Sequence, residues 1–154
     1  MALGPGASTR FFLVRHGRAE ASNPGGDAAR RLLLEAREEL TEHFRALEWD
    51  ELELDRILTS PLVRARETAE LLTAATGAPL EEEEALASAK SSGPELLRLG
   101  ARLGRGVALV GHNPEMAEAI SAAAGRKVDV PPGSVAAIDV VGEGFRLVWL
   151  RAPA

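Results

Sequence analysis

Two arginines and two histidines are the side chains of this sequence best suited to chemistry: Arg15, His16, Arg64 and His112. Arginine stays charged and offers paired donors that match the oxygens of a phosphate group. A histidine beside such cations resists protonation, so that one of its ring nitrogens stays free to attack phosphorus. If the four side chains meet, they predict a site in which a phosphohistidine forms and water then hydrolyses it.

The segments around these residues predict that they do meet. Short segments at 11–14, 54–59 and 107–110 indicate strands, and amphipathic patterns typical of helices lie between them. In an open α/β sheet, ligands bind outside the carboxyl ends of the strands, where loops and helix N-termini converge. We therefore expect the four candidate residues at one rim of the sheet.

Arg64 is expected to reach this rim from inside a helix. Ser60 is predicted as the N-cap and Pro61 as the first position of a helix that runs to about residue 76. This places Arg64 at the fourth helical position. Because helical side chains lean toward the N-terminus, its guanidinium is expected to extend over the strand edge. The free N–H groups at such a helix start favour an anion in the same place.

The remaining pattern predicts an α/β fold with three layers. Helices are predicted at 30–47, 61–76, 94–103 and 114–124, a loop at 19–29, a strand or loop at 79–86, and a β-hairpin made of 134–141 and 145–150. The alternation of strands and helices indicates a mostly parallel sheet with helices on both faces and an antiparallel C-terminal hairpin. The length predicts a single domain over residues 1–154, with residues 1–9 flexible.

Composition and charge exclude several kinds of site and partner. Cysteine is absent, which rules out disulfides, thiolate nucleophiles and thiolate metal ligands. The formal net charge is -5 and basic residues are mixed with acidic ones, so no nucleic-acid partner is predicted. The sequence shows neither a signal-like segment nor a membrane-spanning run, so we expect a cytoplasmic protein without membrane contact. The residues indicate no cofactor and no metal site.

Three short motifs contain the four candidate residues. They are Arg15-His16-Gly17, Ser60-Pro61 followed by Arg64-Ala65 and Thr68, and Gly111-His112-Asn113-Pro114. In this order the motifs resemble those of the histidine phosphatase superfamily, also called phosphoglycerate-mutase-like. The resemblance covers residues 11 to about 150 and implies the fold of that superfamily. It also implies that His16 is the phosphorylated nucleophile and that Arg15, Arg64 and His112, with Gly17, bind the phosphate.

Within the superfamily, the chain resembles the short branch of SixA-type phosphohistidine phosphatases in its size, in Ala19 and in the His-Asn-Pro form of the third motif. Longer members carry an insertion that supplies an acidic proton donor, and this chain has no room for one. Because an alkoxide leaving group needs a proton and an imidazole needs less help, a phosphohistidine on a protein is the favoured substrate. Small phosphate monoesters are also possible substrates. Glu82 and Glu84, in an acidic run that more often forms a solvated edge, are possible proton donors.

Two other functions use the same residues. A phosphoglycerate-mutase-type phosphotransferase would need all four, and a phosphate-binding domain without turnover would keep only the pocket. The proposed chemistry predicts a metal-independent hydrolase whose partner is a phosphorylated protein or a small phosphate ester. The motifs indicate no particular oligomeric state.

Several residues have a second interpretation or no assigned role. Arg64 could pair with Glu67 on its own helix, and His112 could act as a helix cap. Arg18 could attract an anionic substrate or simply be solvated. The segment 30–36 lacks the threonine and glycine that the family has there, so no role is assigned to it. Three residues are expected to lie outside the site: His43, without a function, and Trp49 and Trp149, as packing residues.

Overall fold

The computed structural model describes residues 9–48 and 54–154, which contain a six-stranded mixed sheet. The strands are β1 (Arg10–Arg15), β2 (Arg56–Thr59), β3 (Leu80–Glu82), β4 (Val107–Gly111), β5 (Val135–Val141) and β6 (Gly144–Arg151). Their order across the sheet is β3-β2-β4-β1-β5-β6. Strands β1 to β4 are parallel, whereas β5 runs antiparallel to β1 and forms a hairpin with β6. The predicted mostly parallel sheet with an antiparallel C-terminal hairpin is confirmed.

Helices cover both faces of this sheet. They are α1 (Leu34–Ala46), α2 (Val63–Thr76), α3 (Gly93–Leu103) and α4 (Glu115–Ala124). Successive residues of a strand point to opposite faces, so β1 contributes to two cores. Phe12 packs in the core that includes residues of α1 and α2, and Phe11 packs in the core that includes residues of α3 and α4. The three-layer architecture is therefore as predicted.

The carboxyl ends of β1, β4 and β2 lie side by side at one rim of the sheet. Arg15 stands opposite Gly111 in the register of β1 and β4, and Thr59 stands opposite Val110 in the register of β2 and β4. Beyond the strands, the backbone N–H of His16 still donates to the carbonyl of Gly111 at 3.0 Å. The three loops that contain the motifs therefore begin next to one another at this rim.

Helix α1 begins at Leu34, so the prediction of a helix from residue 30 was wrong. Residues 30–33 run beside the loop that follows β1, and Leu32 forms an isolated antiparallel bridge with Ala19. The carboxylate of Glu67, on α2, accepts the backbone N–H of Leu32 at 2.8 Å and pairs with Arg31 at 3.2 Å. These long-range contacts hold the segment against α2 and override its helical propensity.

Helix α2 also begins later than predicted, with Leu62 as its N-cap residue and Val63 as its first position. Arg64 is therefore the second helical residue, and the assignment of Ser60 as N-cap and Pro61 as first helical position was wrong. The helix ends as predicted, because Gly77 adopts a left-handed conformation with φ of 77° at the C-cap.

A few predictions concern residues at or beyond the edges of the described ranges. Residues 1–8 and Trp49 lie outside them, whereas the backbone carbonyl of Thr9, predicted to be flexible, accepts the N–H of Val140 at 3.3 Å. Trp149 packs against Phe12 with ring centroids 6.2 Å apart, as predicted. No described helix is both long enough and apolar enough to cross a membrane.

Candidate active site

His16 presents a free ring nitrogen at the carboxyl end of β1. Its Nδ1 lies 2.7 Å from the backbone carbonyl oxygen of Gly17, and a carbonyl oxygen only accepts hydrogen bonds. Nδ1 must therefore carry the proton, which leaves the lone pair on Nε2. Gly17 packs closely here, since a Cβ at this position would lie 2.6 Å from Cδ1 of Leu40 and the leucine side chain would have to shift. The backbone at this turn thus fixes both the position and the tautomer of the ring.

The rings of His16 and His112 lie next to each other, with centroids 5.0 Å apart and planes at 60°. His112 is 2% exposed and follows β4 directly. Burial and, to a smaller extent, the charges of Arg64, Arg15 and Arg30 lower the pKa of His16 to about 4. Burial also lowers the pKa of His112 to about 3. Both rings are therefore neutral at physiological pH, as expected from the sequence for histidines beside arginines.

Arg15 points its guanidinium toward the same rim. Its Nη1 donates to the carbonyl oxygen of Val130 at 2.8 Å, while its Nε is buried without a hydrogen-bond partner among the described residues. Burial lowers the pKa of Arg15, although arginine remains charged at any physiological pH. An anion in the pocket would satisfy the buried Nε–H, which fits the predicted phosphate-binding role.

Arg64 is 5% exposed and is held by Asp27, in the short 3₁₀ helix Asp27–Ala29. Its Nη1 donates to the backbone carbonyl of Asp27 at 2.9 Å, and its Nη2 donates to the Asp27 carboxylate at 3.2 Å. Thr68 connects Arg64 with the loop that contains His16 and Gly17. Its hydroxyl donates to the carbonyl of Arg64 at 2.8 Å and accepts the N–H of Gly17 at 3.1 Å. The guanidinium of Arg64 therefore has a fixed orientation beside His16.

Asp27 and Arg30 belong to the site but were not predicted from the sequence. Arg30 donates to the carboxylate of Asp27 at 2.9 Å, and its charge contributes to the lowered pKa of His16. The hydrogen bond from Arg30 and the charge of Arg64 lower the pKa of Asp27 below its usual value. Residues 19–29 are rich in turn formers and show no periodic pattern, so the sole available signal was the spacing of two opposite charges three residues apart.

A family model decides the relationship of the chain to known proteins. The model of the histidine phosphatase superfamily, branch 1, matches residues 11–90 of the 154. The chain belongs to this superfamily.

Solved structures place this histidine phosphatase near SixA proteins in fold and length. A protein from Agrobacterium tumefaciens assigned as the phosphohistidine phosphatase SixA is 26% identical, with a TM-score of 0.80 over 95% of this chain and 99% of that one. The protein histidine phosphatase SixA complexed with tungstate is 20% identical, with a TM-score of 0.81 over 94% and 97%. The α-ribazole phosphatase of Shigella flexneri is 20% identical, with a TM-score of 0.72 over 94% and 96%. No curated protein matched the sequence.

The predicted proton donors make other contacts in this histidine phosphatase. Glu82, at the end of the edge strand β3, pairs with Arg66 at 3.1 Å, and Glu84 lies in the 3₁₀ helix Glu84–Leu86. Neither forms a hydrogen bond or ion pair with His16 or His112 within residues 9–48 and 54–154. Their assignment stays a prediction, whereas the carboxylate of Asp27 does contact Arg64.

The ion pairs of Glu67 and Arg18 show which residues these two charged side chains contact. Glu67 pairs with Arg31 at 3.2 Å and with Arg37 at 3.3 Å, so the suggested pairing of Arg64 with Glu67 was wrong. Arg18 pairs with Glu39 at 2.7 Å on the surface. Its guanidinium is therefore already engaged by a carboxylate of α1.

The start of α4 is capped by a side chain other than His112. Oδ1 of Asn113 accepts the N–H of Ala117 at 3.1 Å, which leaves the ring of His112 available to the site. In the part of the chain that the structure describes, no three His, Asp or Glu side chains are grouped so that they could hold a metal ion.

We expect the activity of this histidine phosphatase to persist to lower pH than an ordinary histidine nucleophile would allow. With a pKa of about 4 for His16, nearly all of the protein keeps a neutral His16 ring at pH 5.5. With the usual value near 6.5, only about a tenth would be neutral there. The check is kcat/KM against pH, corrected for substrate ionisation, together with an NMR titration of the His16 ring. An acid limb centred near pH 6.5 would contradict the expectation.

The same shift affects stability. Because the folded pKa of His16 lies below the unfolded value, protons bind the unfolded chain more strongly. The contribution of this ring to stability is therefore present above about pH 6.5 and is lost as pH falls toward 4. Activity should thus be measured only at pH values where circular dichroism shows a folded enzyme.

Proposed function

We propose that this phosphatase transfers a phosphoryl group to Nε2 of His16 and then hydrolyses the phosphohistidine so formed. The observation that carries the proposal is the contact of 2.7 Å between Nδ1 of His16 and the carbonyl of Gly17, which leaves Nε2 unprotonated. In the first step, the Nε2 lone pair bonds to phosphorus while the bond from phosphorus to the leaving group breaks. In the second step, a water oxygen bonds to phosphorus, the P–N bond breaks and the water proton passes to solvent. The free ring and inorganic phosphate result.

The surrounding cations suit the charge of the transferring group. Arg15 and Arg64 supply fixed N–H donors, and His112 adds a neutral ring that lies 5.0 Å from the nucleophile. Phosphoryl transfer develops charge on the equatorial oxygens, and preorganised donors in a partly dehydrated pocket stabilise that charge. The assignment of Arg15, Arg64 and His112 as phosphate ligands rests on this fit and on the motif resemblance.

Asp27 favours a particular class of leaving group. Its pKa is lowered by Arg30 and Arg64, so it is ionised at neutral pH and has no proton to give to an alkoxide. A phosphohistidine protonated on its second ring nitrogen needs no such proton, because it leaves as a neutral imidazole. The side chain of Asp27 is 64% exposed, so its carboxylate is accessible from solvent while it pairs with Arg64. This environment supports phosphohistidine as the substrate.

A protein-borne phosphohistidine is the substrate we propose. The names of the SixA relatives, of the same length and fold as this chain, describe phosphohistidine phosphatases. An ionised Asp27 at an open rim is compatible with a ring presented on a protein surface. A small phosphate monoester would be a poorer substrate because its alkoxide would depart unprotonated.

The test is a comparison of substrates with excess chelator present. We expect the enzyme to dephosphorylate a phosphohistidine-bearing protein with a kcat/KM about 10²-fold above that for alkyl phosphates, which reflects the missing general acid. An aryl phosphate, whose phenolate leaves easily, should fall between them. The chelator should have no effect. Equal rates on alkyl phosphates would contradict the substrate assignment.

Two further outcomes would contradict the hydrolase itself. Interconversion of monophosphoglycerates after priming with 2,3-bisphosphoglycerate would indicate a phosphotransferase. Binding of inorganic phosphate by a folded protein that turns over none of the substrates would indicate a binding domain. The variant Arg66→Ala, which removes an exposed arginine on the outer side of α2, serves as a matched surface control.

A further inference from the structure

Ser60 contacts His112 in a way that the motif chemistry does not explain. Its Oγ lies 2.7 Å from Nε2 of His112, and the same oxygen accepts the backbone N–H of Leu62 at 3.1 Å. Ser60 is fully buried and His112 is 2% exposed, so solvent does not compete for either group. Buried hydrogen-bonding groups are nearly always paired, so the partners of each group here indicate which atom carries the proton.

Only one placement of the protons satisfies both contacts of Ser60 and also gives its hydroxyl hydrogen an acceptor. A serine hydroxyl has one hydrogen to donate and two lone pairs that accept. If Nε2 of His112 carried the ring proton, Oγ would accept from both Nε2 and Leu62. Its own hydrogen would then have no acceptor among the contacts of the described residues. If Ser60 instead donates to Nε2, both contacts are satisfied and Nδ1–H of His112 is left without a partner among the described residues. The first arrangement is the worse one, because it leaves both the hydroxyl hydrogen of Ser60 and the Nδ1 lone pair unpaired.

The second arrangement places the proton of His112 on Nδ1. That nitrogen is buried and has no hydrogen-bond partner within residues 9–48 and 54–154. The ring that carries it stands beside the ring of His16. An unpaired N–H beside the ring of His16 would attract an anion bound there, whereas a lone pair at the same position would repel phosphate oxygens.

We infer that Ser60 is a positioning residue that fixes His112 in the Nδ1–H tautomer, so that His112 donates a hydrogen bond to the transferring phosphoryl group. The inference rests on the proposed function for the identity of the anion, but the tautomer itself does not depend on turnover. Because the pKa of His112 is lowered to about 3, the ring holds one proton, and the hydroxyl of Ser60 decides which nitrogen carries it.

The direct test is ¹⁵N NMR of protein labelled in the histidine rings, recorded at pH 7 without ligand. The chain has only three histidines, so His43→Gln and His16→Ala are enough to assign the three rings. We expect His112 to show a protonated Nδ1 and an unprotonated Nε2. A protonated Nε2 on His112 would overturn the inference, and this result needs no variant of Ser60 to fold.

The second test compares Ser60→Ala with Ser60→Thr, which keeps the hydroxyl. We expect Ser60→Ala to lose the fixed tautomer, to lower kcat/KM about 10- to 100-fold and to weaken inhibition by inorganic phosphate, since one oriented donor is lost. Ser60→Thr should restore the wild-type tautomer and most of the activity. Ser134→Ala is the matched control, because Ser134 is equally buried and its hydroxyl donates to Pro131 and not to a histidine.

The outcomes separate this inference from the proposed function. A wild-type tautomer and full activity in Ser60→Ala would overturn the role of Ser60 while leaving the phosphatase mechanism intact. An Nδ1–H tautomer that depends on Ser60, in a protein without turnover on any phosphorylated substrate, would support the positioning role and overturn the function.

Discussion

Replacement of His16 by alanine is expected to lower kcat by at least about 10⁴-fold, because the first chemical step then has no nucleophile. The fold should persist, since the ring is only half-buried and its side-chain hydrogen bond is to the neighbouring Gly17. The measurement is single-turnover and steady-state kinetics on a phosphohistidine protein. Circular dichroism and thermal unfolding of the variant should be recorded in parallel.

A trapping experiment makes this expectation specific to covalent catalysis. Wild-type enzyme quenched during turnover of ³²P-labelled substrate should carry acid-labile, alkali-stable label, as a phosphohistidine does, and His16→Ala should carry none. His43→Gln is the matched control, because His43 lies on α1 and its ring packs against Phe44, whereas the ring beside His16 is that of His112. Label on His43→Gln but not on His16→Ala is the expected pattern. Retention of most of the activity by His16→Ala would contradict the proposed mechanism.

Replacement of Arg64 by alanine is expected to lower kcat/KM about 10²- to 10³-fold, because a buried, oriented donor to the phosphoryl oxygens is removed. Arg64→Lys should recover only part of the loss. Lysine restores the charge but cannot reproduce the paired donors that a guanidinium offers. Inhibition by inorganic phosphate, followed in the same variants, should weaken in the same order.

A second readout separates catalysis by Arg64 from a general loss of structure. The charge of Arg64 lowers the pKa of both His16 and His112, so in Arg64→Ala both should titrate at higher pH than in the wild type. Arg66→Ala, two residues along the same helix, removes an exposed arginine that pairs with Glu82 and should leave rates and titrations unchanged. Equal losses of kcat/KM in both variants would show that the loss comes from removing a positive charge from α2 and not from the specific contacts of Arg64.

The fold and the closeness of His16 and His112 could be predicted from the sequence because their signals are local. Apolar runs that end directly in Arg15-His16 and Gly111-His112 identify both a buried strand and the residue that follows it. Parallel strands deliver such residues to one edge, so closeness in space follows from strand order alone. The His16 and His112 rings, 96 residues apart in the chain, accordingly stand 5.0 Å apart.

The start of α1 could not be predicted because long-range contacts decide it. Residues 30–33 carry good helix formers, yet the Glu67 carboxylate binds the backbone of Leu32 from 35 positions away. The early turns of α2 were assigned incorrectly for a similar reason. Local rules assign the Ser60 hydroxyl to a helix cap. It instead accepts the backbone N–H of Leu62 and contacts His112, in the loop that follows β4.

By itself, the sequence determined the family to which the chain belongs and which four side chains we assign to the centre of the site, since both depend on motifs of a few adjacent residues. Only the tertiary structure decided which groups orient those side chains. Asp27 holds Arg64 across 37 positions and Ser60 holds His112 across 52. These partners lie far apart in the sequence and meet only because their segments pack together. The orientation of the Arg64 guanidinium and the position of the His112 proton therefore depend on tertiary contacts that local sequence patterns do not predict.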